Sequence, residues 1–519
     1  MTGTDLRRLA SNGGQMAENE DRPQRESGST RWQVFLILAI SAFGPLQVWV
    51  NNPESPPFLS TALVIAGLTG LGLLLRLGLV KAGWESNGAT FFVVFVIGVI
   101  FNAGPLVYTV PGGRWTLIAC AFLLGAIAYR LRSLQVLQFL VIWGVVALLV
   151  MPVVAFAETL GSGPVTVSVG SPAGYQITKH PDVVVVVADA YGSDEVLQES
   201  YGFDNTSFRE DLEAIGMTNG TDVRANFPLT ALSVSSALNL GYAVGEQHLS
   251  RGDLHVLYDM VGGNNTMARI LKDAGYRQTY VESGWFGTRC RSEVDNCVRG
   301  PWPDETFYDI ARSSVLRGLP GLEDARSFSR GALHAFDWVH DELAGYLTNG
   351  EPDLIYVHLM APHPPFFLDS SCEARPDMAL GGFTTGIPGL PDQQEQARRD
   401  GYVAQVECVN GVLTSMAGLA VANDAVIAIF GDHGPDGTAQ LFIDGDQWTD
   451  EQLRERFGVM FAGYGPGCDF ADIGSLVNVS PRIISCLADE PVPDLPRRAY
   501  VRNGTWDMTE VDLSLAYDQ

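Results

Sequence analysis

Hydrophobic and polar positions divide the chain into two unlike parts. From Trp32 to about Ala157, apolar stretches follow one another with few charges between them. Most of them approach the roughly 20 apolar residues that a helix needs to cross a bilayer. Five stretches can be separated: 32–50, 57–80, 90–110, 115–129 and 134–156. A series with no polar face predicts a bundle of five transmembrane helices rather than the buried helices of a soluble domain.

Basic residues indicate how this bundle is oriented. Arginine and lysine precede the first stretch and follow the second and the fourth, whereas the alternate loops hold only Arg114. By the positive-inside rule, the N-terminus is then cytoplasmic, and an odd number of spans places the remainder outside the cell. We therefore expect a multi-pass cell-membrane protein with four parts: a polar leader (1–31), a membrane domain (32–157), a linker (158–180) and an extracytoplasmic domain (181–519).

The end of the fifth stretch leaves an alternative open. Ala155-Phe156-Ala157 has the small-x-small form that a signal peptidase cuts. A cut after Ala157 would release the outer domain, and a shorter soluble form of the protein would reveal it.

The pattern changes after the linker, which is rich in Gly, Ser and Pro. Residues 182–188 are almost all valine, as expected of a central parallel strand that is buried on both faces. Further strands are predicted at 278–282, 354–359, 425–430 and 457–461, and helices at 207–215, 231–240, 267–274, 327–347 and 393–419. This alternation predicts an α/β domain with a mostly parallel sheet and helices on both faces.

Charge and cysteines agree with an exported domain. Residues 161–519 hold 23 basic and 51 acidic residues, a net charge of −28, which excludes nucleic acid as a partner bound through its phosphates. Six of the seven cysteines lie in this part, and an even number in an oxidising compartment predicts disulfides. Cys290 and Cys297 flank a short polar loop, and proximity in sequence suggests the pairs Cys372 with Cys408 and Cys468 with Cys486.

Candidate chemistry follows three segments of the outer domain. The valine strand leads directly into Asp189, residues 223–229 lead into Thr230, and the strand at 425–430 leads into Gly431-Asp432-His433-Gly434. The carboxyl ends of parallel strands meet at one edge of a sheet, where open α/β folds build their sites. Two carboxylates, an imidazole and a hydroxyl would then lie together. A divalent cation bound there would lower the pKa of the hydroxyl and make it a nucleophile.

Each of these residues also has an ordinary structural interpretation. Asp189 suits a turn after a strand, Thr230 suits a helix N-cap, and His433 suits a hydrogen-bonded structural histidine. Their joint occurrence in one α/β domain favours the site.

Two further segments are candidates for contacts with a substrate. His363 lies between two prolines, where it could protonate a leaving alcohol or orient a phosphate, the alternative being a solvated loop histidine. His358 lies on the preceding strand, where packing is the stronger expectation. Arg289 and Arg291, near Trp285, could hold an anionic head group, the alternative being a surface arginine pair.

These motifs resemble those of the alkaline phosphatase and sulfatase superfamily. The similarity is greatest to its membrane-anchored bacterial branch, the lipoteichoic acid synthases and the phosphoethanolamine or phosphoglycerol transferases. The strand ending in Asp189 resembles the first metal-ligand strand, Thr230-Ala231-Leu232-Ser233 the nucleophile motif, and Gly431-Asp432-His433-Gly434 the second metal-ligand motif. His358-Leu359-Met360-Ala361-Pro362-His363 resembles the histidine segment that faces the substrate. The resemblance implies a metal bound by Asp189, Thr230, Asp432 and His433, with Thr230 as the attacking group.

Departures from the family pattern narrow this expectation. A sulfatase needs a C/S-x-P-x-R motif to make formylglycine, and none occurs near Thr230, so sulfate-ester hydrolysis is disfavoured. No histidine follows His433, so one divalent metal, Zn²⁺ or Mn²⁺, is expected rather than two. The transferases usually have Glu where this chain has Asp189. The aspartate is closer to the sulfatase and phosphodiesterase pattern.

The resemblance implies a phosphotransferase with membrane lipids as donors. Thr230 would take the head group of a phospholipid as a phosphothreonine ester and pass it to a hydroxyl of an envelope glycan or lipid. A phosphodiesterase or phosphatase, in which water takes the second step, remains open. So does a function of another class, a non-catalytic envelope protein that binds a ligand through the same scaffold.

Overall fold

A computed structural model describes most of the chain. The described residues are 22–51, 58–107, 110–160, 165–167, 169–170, 174–300, 313–315, 325–375, 392–437, 443–488, 490–504 and 506–517. The chain divides into two compact units, Met1–Gly161 with Thr306–Arg317, and Ser162–Glu305 with Gly318–Gln519. We call the first the helical unit and the second the α/β unit.

Five helices occupy the predicted membrane stretches. They are α1 (Arg22–Asn51), α2 (Phe58–Lys81), α3 (Ser86–Asn102), α4 (Gly113–Arg130) and α5 (Gln135–Leu160). Within the described residues, only Thr30–Val50 and Leu59–Lys81 are both long and apolar enough to cross a membrane. The prediction of five spans is therefore not confirmed. Ala157, after which a cut was considered, lies inside α5.

The segment Thr306–Arg317 returns to the helical unit. Of its described residues, Val315 is buried and packs with Ala103, Val107 and Leu117. Its backbone N–H donates to the carbonyl of Ile100 at 2.7 Å. This part of the chain thus completes the core of the helices although it lies far along the sequence.

A seven-stranded sheet forms the centre of the α/β unit. The strand order is β2-β8-β7-β1-β6-β4-β5. The bounds are β1 (Val183–Ala188), β2 (Thr218–Asn219), β4 (Arg277–Val281), β5 (Asn296–Val298), β6 (Asp353–Leu359), β7 (Val426–Phe430) and β8 (Phe461–Tyr464), and a separate three-stranded sheet contains β3 (Gln247–His248), β9 (Ala499–Asn503) and β10 (Asp507–Val511). Pairing is parallel between β7, β1, β6, β4 and β5, and antiparallel at β8 and β2. The predicted mostly parallel sheet, with the valine strand in its middle, is confirmed.

Helices alternate with most of these strands along the chain. They are α6 (Asp194–Tyr201), α7 (Thr206–Ile215), α8 (Thr230–Leu238), α9 (Arg251–Val261), α10 (Thr266–Asp273), α11 (Ala325–Asp341), α12 (Leu343–Tyr346), α13 (Asp392–Ala422), α14 (Asp450–Phe457), α15 (Val479–Leu487) and α16 (Ser514–Tyr517). The strand predicted at 457–461 is wrong, because Phe457 ends α14 and β8 begins only at Phe461. Residues 223–229 are not a strand of the sheet either, since their bridges run from Arg224 to Gly458 and Ser475.

The described part of the predicted linker is attached to the α/β unit. The backbone N–H groups of Thr166 and Val167 donate to Asp253 Oδ1 at 2.6 and 2.9 Å. The carboxylate also accepts from Ser250, the N-cap of α9. Disulfides join Cys290 to Cys297, Cys372 to Cys408, and Cys468 to Cys486, the same pairs that the sequence suggested.

Candidate active site

The carboxyl edge of the sheet collects the polar residues. Asp189 directly follows β1, His358 is the penultimate residue of β6, and Asp432 comes two residues after β7. The parallel register aligns Val187 of β1 with both His358 and Phe430. Asp189, His358 and Asp432 therefore lie at the ends of neighbouring strands. Thr230, the first residue of α8, completes the group.

Short distances connect this group. Thr230 Oγ1 lies 3.1 Å from His433 Nε2. The same nitrogen lies 3.7 Å from Asp189 Oδ1 and 3.4 Å from Asp432 Oδ2. Asp189, Asp432 and His433 are buried, whereas Thr230 is partly exposed. The structure therefore brings together all four residues that the sequence proposed as metal ligands, with the hydroxyl on the accessible side.

The tautomer of His433 follows from its backbone contact. Its Nδ1 lies 3.0 Å from the carbonyl oxygen of Gly434. A carbonyl can only accept, so Nδ1 carries the proton and Nε2 presents a lone pair to Thr230, Asp189 and Asp432. Burial, with Arg456 and His363 nearby, holds the pKa of His433 well below its usual value. The ring is therefore neutral and suited to bind a metal.

The two buried carboxylates are electrostatically unfavourable in the absence of a bound cation. Burial, followed by the charge of Asp189, raises the pKa of Asp432 to about 7, although the Ala190 N–H donates to its Oδ1 at 3.0 Å. Burial lowers the pKa of His358 to about 3. Neutral imidazoles thus face the carboxylates, and they do not compensate the negative charge.

A divalent cation fits the residues present. His358 is fully buried, and neither of its ring nitrogens has a hydrogen-bond partner in the described part of the chain. Buried polar atoms of this kind are rare unless an ion or water satisfies them. Asp189, His358 and Asp432 each offer a ligand atom, and these atoms lie within 4.8 Å of one another. His358, which was expected mainly to pack, is therefore a further candidate ligand, with Nε2 at 3.6 Å from Asp189 Oδ2.

Two glycines explain why the turn carrying Asp432 and His433 has its particular sequence. A Cβ at Gly431 would lie 2.1 Å from the carbonyl oxygen of Tyr191, and one at Gly434 would lie 1.9 Å from that of Glu455. Backbone occupies both places, so a larger residue would move the turn. The glycines thus hold the two side chains between neighbouring chain segments.

Helix α13 fixes the turn that follows Asp189. The hydroxyl of Tyr402 donates to the carbonyl of Ala190 at 2.9 Å and accepts the N–H of Gly192 at 3.2 Å. Ala190 has a φ of 62°, a backbone conformation that residues other than glycine seldom adopt. Tyr402 therefore stabilises a strained turn next to a candidate ligand.

The same helix fixes the loop of His363. Gln405 is buried and donates to the carbonyls of Pro362 and His363, both at 3.2 Å. Its Oε1 accepts the N–H groups of Phe367 and Leu368 at 2.9 and 3.2 Å. One amide thus spans both sides of this loop.

His363 itself lies close to the cluster without joining it. Its ring centroid is 6.4 Å from that of His433. Its Nδ1 donates to the carbonyl of Pro364, which leaves Nε2 for exchange of a proton. Burial lowers the pKa of this half-buried ring, so a protonated His363 gives up its proton readily.

Of the residues predicted to contact a head group, only some lie next to the cluster. Trp285 packs against His358, with ring centroids 5.9 Å apart, and so lines the buried side of the cluster. Arg291 Nε lies 2.6 Å from Asp259 Oδ1, and its contact with a head group stays a prediction. Arg289 is half-buried in the same loop, and its role stays a prediction.

Sequence reasoning missed two residues that hold the site together. Ser233 Oγ donates to the carbonyl of Asp432 at 2.6 Å. Arg456 is 2% exposed and donates to the carbonyls of Gly434 and Pro228. The spacing along α14 could have indicated that Arg456 is buried. It lies three residues after the buried Leu453 and directly before the buried Phe457, on the inward side of the helix.

Comparisons with known proteins agree with the domain seen here. A protein-family model described as Sulfatase matches residues 181–457, more than half of the chain. No curated protein sequence matches this chain.

Solved structures with a similar α/β domain have low sequence identity. The C-terminal periplasmic domain of EptC from Escherichia coli has a TM-score of 0.44 and 14% identity, covering 68% of this chain and 97% of that one. The lipooligosaccharide phosphoethanolamine transferase A of Neisseria meningitidis has a TM-score of 0.39 and 15% identity, covering 88% and 95%. A phosphonate monoester hydrolase from Silicibacter pomeroyi has a TM-score of 0.39 and 14% identity, covering 60% and 74%.

Proposed function

Because the chain belongs to the sulfatase family, we propose that it is a metal-dependent phosphotransferase acting on phospholipid head groups. The head group would be of the phosphoglycerol or phosphoethanolamine type, and the acceptor a hydroxyl of an envelope glycan or lipid. One observation carries the proposal, the 3.1 Å contact between Thr230 Oγ1 and His433 Nε2 within a cluster of buried carboxylates. This contact supports a hydroxyl nucleophile in a metal site.

The candidate ligands are Asp189, Thr230, Asp432 and His433, with His358 beside them, and Zn²⁺ or Mn²⁺ suits this mixture of donors. A bound divalent cation would lower the pKa of the threonine hydroxyl and offset the charge of the phosphate. Thr230 also begins α8, whose first backbone N–H groups are oriented to receive a phosphate oxygen.

Two transfers then complete the reaction. Thr230 gives its proton to solvent, and its oxygen attacks phosphorus while the bond to the diacylglycerol oxygen breaks. His363, protonated at Nε2, gives that proton to the diacylglycerol, which leaves as an alcohol. In the second step the acceptor hydroxyl gives its proton to His363 and attacks the phosphothreonine, and the oxygen of Thr230 leaves and takes a proton from solvent.

The identity of residue 230 supports phosphoryl chemistry over sulfate-ester hydrolysis. Formylglycine arises from a cysteine or serine in a C/S-x-P-x-R context, and the chain has Thr230-Ala231-Leu232-Ser233 here. A threonine hydroxyl is instead suited to a covalent phosphoester.

The helical unit supports a lipid as the donor. Two of its helices are long and apolar enough to span a bilayer, so the proposed enzyme and its donor would share one membrane. We retain the proposal of five spans with the α/β unit outside the cell, because it places the nucleophile on the side where envelope acceptors occur.

The test uses the full chain in detergent with head-group-labelled phosphatidylglycerol or phosphatidylethanolamine, with and without a chelator. We expect diacylglycerol release and label on Thr230, both abolished by chelation. Thr230→Ala should lose both, whereas Thr230→Ser, which keeps a hydroxyl, should retain measurable label. An active Thr230→Ala protein would refute the nucleophile.

The remaining outcomes separate the alternatives. Turnover with water as the sole acceptor favours a phosphodiesterase or phosphatase. Chelator-sensitive lipid binding without diacylglycerol or label favours a non-catalytic binding protein.

A further inference from the structure

Arg456 joins two loops that the sheet does not connect. Its guanidinium is buried, with Nη1 at 2.8 Å from the carbonyl oxygen of Gly434 and Nε at 2.9 Å from that of Pro228. Nη2 also donates to Pro228. Gly434 follows His433 in the metal-ligand turn, and Pro228 comes two residues before the candidate nucleophile. One side chain therefore spans the two halves of the site.

The contact with Gly434 bears on the orientation of His433. The carbonyl of Gly434 accepts both from Arg456 and from His433 Nδ1, and the Gly434 N–H donates to the carbonyl of Arg456 at 2.8 Å. The bond at Nδ1 is what leaves Nε2 as the lone-pair nitrogen. Arg456 therefore holds in place the acceptor that selects the useful tautomer.

The contact with Pro228 bears on the nucleophile. Residues 223–229 lie outside the seven-stranded sheet, so no strand ladder fixes the approach to Thr230. Arg456 binds this segment just before Thr230, and Ser233 binds the Asp432 carbonyl just after it. The threonine is thus held from both sides.

Only arginine satisfies this geometry. Its planar guanidinium directs several N–H groups in fixed directions, whereas the ammonium of lysine is a single point of charge on a flexible stem. Lysine would keep the positive charge near Asp436, Asp432 and Asp189, whose charges act on Arg456. It would not keep the fork that reaches both loops.

We propose that Arg456 is a positioning residue, which sets the distance between Thr230 and His433 through the carbonyls of Pro228 and Gly434. The inference rests on the proposed function, since it takes Thr230 as the nucleophile and His433 as a metal ligand. It adds a residue that contacts neither substrate nor metal yet determines how tightly the metal is bound and how well the nucleophile is aligned.

The test compares Arg456→Lys and Arg456→Met with Arg454→Lys. Arg454 lies on the same helix and also donates to a backbone carbonyl, that of Ala516 at 2.8 Å, away from Thr230 and His433. It is 26% exposed and therefore controls for the loss of an arginine-to-carbonyl hydrogen bond on this helix. Affinity for Zn²⁺ and for Mn²⁺ alone is measured by titration without lipid, and kcat and KM are measured with the labelled lipid.

We expect both Arg456 variants to bind metal about 10-fold to 100-fold more weakly, as for other residues that orient metal ligands. Loss of alignment should lower kcat about 100-fold, with KM little changed, because misplacing Thr230 slows the chemical step without removing a group that binds the lipid. Arg454→Lys should match the unchanged protein in all three quantities. A purely structural role would not separate the two arginines in this way once folding is verified by circular dichroism.

Three results would overturn the proposal. One is a folded Arg456→Lys protein with unchanged metal affinity and kcat. Another is an equal loss in Arg454→Lys, which would indicate general destabilisation. The third is failure of both Arg456 variants to fold, which would make Arg456 a requirement of the fold rather than of the site. If the unchanged protein turns over no lipid, the proposed function fails, but the metal titration still decides the role of Arg456.

Discussion

The two ends of strands β1 and β6 carry buried charge in opposite ways. At the amino edge, Asp353 is fully buried and its carboxylate is bound by Arg277 through Nε and Nη2, both at 2.7 Å. Asn349 adds a third hydrogen bond at 2.7 Å. At the carboxyl edge, Asp189 and Asp432 face neutral histidines, and the buried guanidinium of Arg456 acts on them only through its charge because it hydrogen-bonds to backbone carbonyls.

The difference separates a structural cluster from a functional one within a single sheet. A carboxylate with a bidentate arginine is satisfied by the protein alone. Two adjacent buried carboxylates oppose each other, and burial together with that repulsion raises the pKa of Asp432 to about 7. We therefore expect the amino edge to stabilise the fold and the carboxyl edge to lower the stability of the metal-free protein.

Asp432→Asn should give the largest effect. The amide oxygen keeps the hydrogen bond from the Ala190 N–H, but the substitution removes a charged ligand. We expect turnover to fall by at least about 1000-fold while the stability of the metal-free protein rises, because the repulsion with Asp189 is gone. Lipid turnover and thermal unfolding in chelator measure the two changes. A metal-free variant less stable than the unchanged protein would contradict this interpretation of the carboxyl edge.

An Asp→Asn substitution at the amino edge should change the stability of the metal-free protein in the opposite direction. Asp353→Asn directs an amide N–H₂ at Arg277, which then keeps an ion pair only with the exposed Glu351. We expect a loss of about 3 kcal/mol in the free energy of unfolding, with turnover per folded molecule unchanged. Urea unfolding of the metal-free protein measures it. Equal stability changes in the two Asp→Asn variants would remove the distinction between the edges.

The pH dependence of stability should follow the raised pKa of Asp432. The folded state keeps this proton up to about pH 7, whereas the unfolded state releases it near 3.8. Because the folded state binds more protons in this interval, metal-free stability should fall as the pH rises through it. Asp432→Asn is the reference, and the difference between the two unfolding curves should be constant above about pH 7. A difference that grows in the other direction would show that the carboxyl is not protonated when folded.

Asp182→Asn should have the smallest effect. Burial, with a further contribution from the charge of Asp353, raises the pKa of Asp182 to about 6, although its Oδ1 accepts the Asp353 N–H at 2.8 Å. The unchanged carboxyl thus lowers stability slightly as the pH rises from about 4 to about 6, and the amide removes that slope. We expect a gain below about 1 kcal/mol at neutral pH, measured by urea unfolding. A loss of stability at neutral pH would show that the charged form is favoured.

The sequence predicted the parts of the site that depend on local pattern. The run of valines identified β1, and its end identified Asp189, because a strand buried on both faces needs no partner to be recognised. Thr230 was predicted as the N-cap of a helix, whereas Leu229 holds the N-cap position and Thr230 is the first helical residue. The segment 223–229 that precedes it is not a strand of the sheet, because its bridges run to Gly458 and Ser475.

What the sequence did not predict depends on contacts between distant segments. His358 lies on a strand whose residues are all buried, so alternation gives no sign that it faces Asp189 rather than the core. Only the register with β1 places it there. The partners of Arg456 are backbone carbonyls of two loops, and no residue type marks such acceptors.

The return of the chain to the helical unit bears on whether the outer part could be shed. The helical and α/β units are covalently continuous at three places, after Gly161, after Glu305 and after Arg317. A protease acting after Ala157 would sever one of these connections. The other two would still tether the cut product, since the stretch containing Val315 remains embedded among α3 and α4. Shedding would therefore require a second cut or extraction of that stretch, so a single nick near the membrane would yield a clipped but retained protein.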